Sequence, residues 1–133
     1  MNNTKIIMIS STVFLGMSGA ILTFLPNETI SSIAIIPSPI TTLFFQLTGA
    51  LYLGFAMLNW MAKDTLIGGI YNRPIAIGNL MHFGVGAIAL IKIIFNILTH
   101  KEIVIALAAV YVVFAILFAY VLRTNPTKTE KKK

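Results

Sequence analysis

His82 and Lys92 are the two side chains of this sequence able to carry a proton or a fixed charge inside an otherwise apolar stretch. An imidazole, with an ordinary pKa near ~6.5, takes up and releases protons under physiological conditions. An ammonium facing a cavity holds an anionic group. Both residues lie between Arg73 and Leu98, where Asn79 and Asn96 are the other strongly polar groups. Proton chemistry needs a partner at the same level, and none is in view. The four acids, Glu28, Asp64, Glu102 and Glu130, all fall in connections or in the tail. Cysteine is absent, which excludes disulfides, iron–sulfur ligation, covalent haem attachment and thiol catalysis. Two histidines and four scattered acids make no metal-ligand cluster. The residues therefore lead us to expect no catalytic residue, no metal, no cofactor and no enzyme.

The elements that must position these groups are apolar. Of the 133 residues 57% are hydrophobic and 11% charged, whereas soluble domains carry about a quarter charged residues. Four runs stand out, at about 6–25, 40–62, 75–98 and 103–122, holding 20, 23, 24 and 20 residues. A helix of about 20 residues crosses a hydrocarbon core of roughly 30 Å. Strands would need a closed barrel with alternation of period two, and no such alternation is present. Ser18-Gly19-Ala20 resembles a signal-peptide cleavage site, yet apolar residues continue through Leu25, so the first run is expected to be a retained span.

Breakers fall between the runs. Pro26-Asn27 closes the first, Pro37-Ser-Pro39 precedes the second, Gly68-Gly69 lies in the next connection, and Pro74 suits the first turn of the third helix. Thr99-His100-Lys101-Glu102 is a tight link that makes the third and fourth spans antiparallel neighbours. Ile30, Ile33, Ile35 and Ile36 are enough for a short interfacial helix between the first two spans. Asn27-Glu28-Thr29 matches a glycosylation sequon and is read as a turn.

The formal charge is +6, and its placement gives an orientation. With four spans, Lys5, Lys63, Arg73, Arg123, Lys128, Lys131, Lys132 and Lys133 share one side and Lys101 takes the other. Positive charge marks the cytoplasmic side, so both termini are expected there. Trp60, Tyr71 and Tyr120 then sit at that interface. Residues 124–133 form a lysine-rich tail, read as a solvated flank or as a segment drawn to anionic headgroups.

Depth along the helices sorts the intramembrane polar residues into two layers. Ser10, Ser11, Thr12, Asn59, Asn79 and His82 lie in the inner half; Gln46, Lys92 and Asn96 form an outer polar layer. At about 100° per residue, Asn79, Asn96 and Lys92 fall roughly within 140° of one another on the side of the third helix that holds His82. Gly86 and Ala89 share that side and permit close approach of another helix. Asn59, Arg73, Asn79 and His82 are the candidate lining of a polar cavity. The alternatives at each residue are plain: His82 bonded to a nearby amide or acting on a ligand, Lys92 snorkelling to the surface or binding substrate.

The stretch Gly49-Ala-Leu-Tyr-Leu-Gly-Phe-Ala-Met-Leu-Asn-Trp60, with Tyr71-Asn-Arg-Pro-Ile-Ala-Ile-Gly-Asn-Leu-Met-His82, resembles small four-helix bacterial membrane proteins of uncharacterised function. The layout is more distantly similar to the DoxX-like group. The similarity covers about a third of the chain. It implies an all-α integral four-helix bundle of the bacterial inner membrane and carries over no catalytic residue. Three roles are open at this point: a non-enzymatic accessory or scaffold subunit, a small transporter or lipid-handling protein, and a quinone-associated respiratory accessory. Expected partners are membrane lipids and further copies of the chain or a larger membrane complex, with no nucleic acid.

Overall fold

The structure is a computed structural model, and it describes residues 2–65 and 72–124. The expectations for Gly68-Gly69, for Tyr71 and for the tail beyond Thr124 lie outside the described residues. Five helices follow in order: α1 Asn2–Phe24, α2 Pro26–Ser32, α3 Pro39–Ala62, α4 Arg73–Ile94 and α5 Lys101–Thr124. Among the described residues there is no strand. Helices α1, α3, α4 and α5 are each long and apolar enough to cross a membrane.

Local chemistry sets the boundaries. Pro26 stands in the first turn of α2, where its fixed φ suits the helix and its missing N–H is not needed. Asn27-Glu28-Thr29 is consequently helical rather than a turn. The segment leaves α2 through Ala34, at φ 59°. Helix α3 opens on a reciprocal cap. The Thr41 N–H donates to Ser38 Oγ at 3.2 Å, and the Ser38 N–H donates to Thr41 Oγ1 at 2.9 Å. Helix α4 ends at Ile94, four residues short of the expected Leu98. There the chain tightens, with the Asn96 N–H donating to the Ile93 carbonyl at 2.9 Å. The Asn96 amide also donates to the Lys92 carbonyl at 3.3 Å. An asparagine that bonds the last turn favours an end over a continuation.

The chain divides into two compact units, one of them Met8–Met61 and the other containing the remaining described residues. In the first, α1 and α3 run antiparallel and approach at Gly19 and Gly49. A Cβ on Gly49 would lie 2.7 Å from the Thr23 nitrogen and 2.8 Å from the Gly19 oxygen; one on Gly19 would lie 2.9 Å from the Gly49 oxygen. Only glycine lets two helix backbones come this close. The approach leaves the Thr23 hydroxyl oxygen buried without a hydrogen-bond partner. Leu15, Ile30 and Met8 are fully buried in this unit.

In the second unit α4 packs against α5. Their seam is aromatic. Phe83 stacks on Phe114 at 4.8 Å between ring centroids and on Phe118 at 5.9 Å, and meets Tyr111 edge-on at 5.2 Å. Such contacts add about 0.5–1.5 kcal/mol each beyond the area they bury. Gly86 makes room for the seam, because a Cβ there would lie 2.5 Å from the Tyr111 ring. Near the N-terminus, Lys5 Nζ reaches Asp64 Oδ1 at 2.6 Å, tying the start of α1 to the turn after α3.

Candidate functional site

The fully buried polar side chains among the described residues are Ser11, Asn59 and Asn79. Each belongs to the inner layer read from the sequence. In the first unit, the Asn59 amide on α3 donates to Ser11 Oγ on α1 at 3.0 Å. The Ser11 hydroxyl in turn donates to the Met8 carbonyl at 2.9 Å. The next residue, Thr12, has its Oγ1 2.8 Å from the same Met8 carbonyl and 3.3 Å from the Ala56 carbonyl, which leads from α1 to α3 again. Mid-helix N–H groups are all engaged along the helix, so the donors of this cross-helix bonding are side chains, and a carbonyl such as that of Ala56 accepts with its second lone pair. The result is a short polar chain enclosed by apolar residues.

In the second unit, Asn79 and His82 stand one turn apart on α4. The Asn79 amide donates to the Ile75 carbonyl at 2.9 Å. His82 is half-buried, and its Nε2 lies 3.4 Å from the Tyr111 hydroxyl on α5. Its ring meets Phe83 edge-on at 4.9 Å and Tyr111 at 5.5 Å. Which of His82 and Tyr111 donates depends on the imidazole tautomer. Both can give and accept a hydrogen bond, so the pair suits a neutral oxygen-bearing ligand and also suffices for itself.

The remaining candidates are more exposed. Arg73 opens α4 and is exposed. Gln46 is exposed on α3. Lys92 stands in the last turn of α4 and is exposed, favourably placed for the negative end of the helix dipole. It is two residues from the helix end, about 3 Å of rise, so its ammonium reaches the helix terminus with little extension. Asn96 lies beyond α4 in the turn and is exposed as well. Ala89 is exposed, whereas Gly86 receives Tyr111.

Of the four cavity candidates, Arg73, Asn79 and His82 share the second unit and Asn59 belongs to the first. Ser11 is a polar partner of Asn59, and Tyr111 is one of His82. The sequence does not single out Tyr111 as a partner. Its signal is its place near the middle of α5, where a phenol needs a hydrogen-bond partner. No His, Cys, Asp or Glu cluster among the described residues has the makings of a metal site. An open pocket of about 350 Å³ lies at the start of α3, lined by Asn27, Pro37, Ser38, Pro39 and Thr42. Its polar contents are already bonded to one another, Thr42 Oγ1 donating to Asn27 Oδ1 at 2.8 Å and Ser38 capping Thr41.

Comparison of the chain with protein-family models, with curated proteins and with solved structures gives no match.

Proposed function

We propose that this chain is an integral protein of the bacterial cytoplasmic membrane, a four-helix bundle with both termini in the cytoplasm, acting as a non-enzymatic accessory or scaffold subunit. The distribution of polarity carries this proposal. Ser11, Asn59 and Asn79 are buried while Ile6, Met17, Leu51, Met61, Ile88 and Ile116 are exposed. That inverts a soluble protein, and its solvent is hydrocarbon. The bundle and its orientation rest on the positive-charge bias and on the resemblance to small four-helix membrane proteins.

The test is cysteine accessibility. The chain has no cysteine of its own, so single cysteines at Thr4, Ser32, Asp64, Lys101 and Thr124 report without background. An impermeant thiol reagent applied to intact cells is expected to label positions 32 and 101 and to spare the other three. Labelling at position 4 or 124 overturns the orientation. Purification in mild detergent, with identification of associated proteins and lipids, then names the assembly it serves.

A quinone-associated accessory role, the third of the roles open in the sequence, is favoured by one observation: His82 is half-buried and within reach of a phenol hydroxyl. A bound quinone would show in the ultraviolet spectrum of the purified protein and in its lipid extract. Loss of that signal in His82→Leu, with the protein still assembled, would assign the headgroup to His82.

A further inference from the structure

Two ammonium groups converge on one carboxylate where α1 begins and α3 has just ended. Lys5 Nζ lies 2.6 Å from Asp64 Oδ1, and Lys63 Nζ lies 3.6 Å from Asp64 Oδ2. The three groups together carry a net charge of +1. The Lys63 side chain is only 20% exposed, while those of Lys5 and Asp64 are about half-exposed at 49% and 59%. Apolar exposure starts immediately beside them: Ile6, next to Lys5, is 63% exposed. On the membrane-spanning reading given above, the exposed apolar surface that begins at Ile6 puts the cluster at the step between water and hydrocarbon.

We propose that Lys5 and Lys63, held together by the single carboxylate of Asp64, form a binding site for the phosphate of an anionic phospholipid. The site rests on the membrane-spanning reading given above. Asp64 has two tasks in it. It prevents the two ammoniums from repelling each other apart, and it leaves one unit of positive charge for the lipid. A zwitterionic headgroup brings its own cation to the same place and satisfies the surplus charge less well, so the site discriminates by net headgroup charge. The exposed side chain of Ile6 is placed to receive the first methylenes of an acyl chain.

Trp60, the one tryptophan of the chain, stands four residues before Asp64 and is the reporter. The full-length protein is reconstituted in phosphatidylcholine vesicles carrying either dansyl-phosphatidylglycerol or dansyl-phosphatidylcholine, and energy transfer from Trp60 gives the relative association of each. The anionic lipid is expected to associate about five-fold more strongly, the factor one lysine near a surface commonly supplies. The double variant K5M/K63M is expected to bring the ratio close to one. D64N frees the two ammoniums to separate and is expected to lower the ratio without abolishing it, whereas D64E, which keeps the carboxylate, is expected to preserve most of it; an unchanged ratio in D64N overturns the part given to Asp64. Replacing Lys128, Lys131, Lys132 and Lys133 by Gln is expected to preserve most of the preference. An unchanged ratio in K5M/K63M, or its collapse in the tail variant, overturns the site. Displacement of the labelled lipid by millimolar inorganic phosphate also overturns it, assigning the cluster to a free anion. Transfer to neither lipid overturns the membrane insertion as well; equal transfer to both overturns the lysine site alone.

Discussion

The Asn59 amide is bonded across two helices to Ser11, donating to its hydroxyl oxygen at 3.0 Å with both residues fully buried. This contact joins α1 to α3 by side chains alone, beside the bond from Thr12 to the Ala56 carbonyl. Removing the acceptor in Ser11→Ala leaves an amide short of a partner in an apolar surrounding. A loss of about 1–2 kcal/mol is expected, read as lowered thermal or denaturant stability in detergent. A double-mutant cycle with Asn59→Ala should give a coupling of about 0.6–1.7 kcal/mol, the range for such bonds within membranes. Independent effects would show that the two residues do not act as a pair.

Gly49 and Gly54 lie five residues apart on α3 and should respond oppositely to the same substitution. At Gly49 an added Cβ meets backbone atoms of Thr23 and Gly19, which cannot swing aside; at Gly54 nothing lies within 4 Å. Gly49→Ala is expected to destabilise by about 1–3 kcal/mol, the cost of overpacking. Gly54→Ala is expected to be neutral or stabilising by up to about 1 kcal/mol, because alanine is the better helix former. Unfolding curves of the two variants side by side decide the matter.

On the α4–α5 seam, Phe83 and Tyr111 separate packing from polarity. Phe83 is fully buried and touches Tyr111, Phe114 and Phe118. Phe83→Ala is expected to cost about 3–5 kcal/mol. Tyr111→Phe keeps the ring and removes only the hydroxyl facing His82, so a loss of about 1 kcal/mol or less is expected. A change in the His82 ring resonances with the rest of the spectrum intact would confirm the 3.4 Å contact.

The Lys5–Asp64 bond predicts an acid limb in stability. The hydrogen bond from Lys5 holds the Asp64 carboxyl below its ordinary value of 3.8, with the charges of Lys5 and Lys63 acting in the same direction. A carboxyl whose pKa is lowered by folding stabilises the fold fully above its ordinary value, and loses that contribution as pH falls through the lowered one. Stability should therefore decline on acidification below about 4 and decline less steeply in Asp64→Asn. Because the pair is exposed to solvent, the difference should be small and should shrink with added salt.

Much of the fold is legible in the sequence because membrane-spanning length is a coarse, strong signal. Helices α1, α3 and α4 begin within a few residues of the expected limits, and α5 extends beyond them by two residues at either end. Prolines mark the starts at Pro39 and Pro74, whereas Pro26, read as the close of the first helix, also opens α2. The end of α4 is not legible, since Phe95, Ile97 and Leu98 are as apolar as the helix before them. It is decided instead by Asn96 bonding the last turn. For the polar residues, helical phase puts Asn79 and His82 on one side but says nothing of their partners. Tyr111 lies 29 residues after His82, and only the antiparallel packing of α4 on α5 brings the two together. Depth was readable for Lys92 only as far as the helix end was, and the earlier end at Ile94 moves it into the final turn.

For the membrane-spanning chain proposed above, the aromatic seam has a consequence for biogenesis. Two spans that share a short connection and zip together through Phe83, Phe114 and Phe118 can leave the translocation channel as one hairpin. Their partners then need not be waiting in the bilayer when the nascent chain arrives. His82 and Tyr111 would satisfy each other during that entry, so neither polar ring would have to face the acyl chains alone.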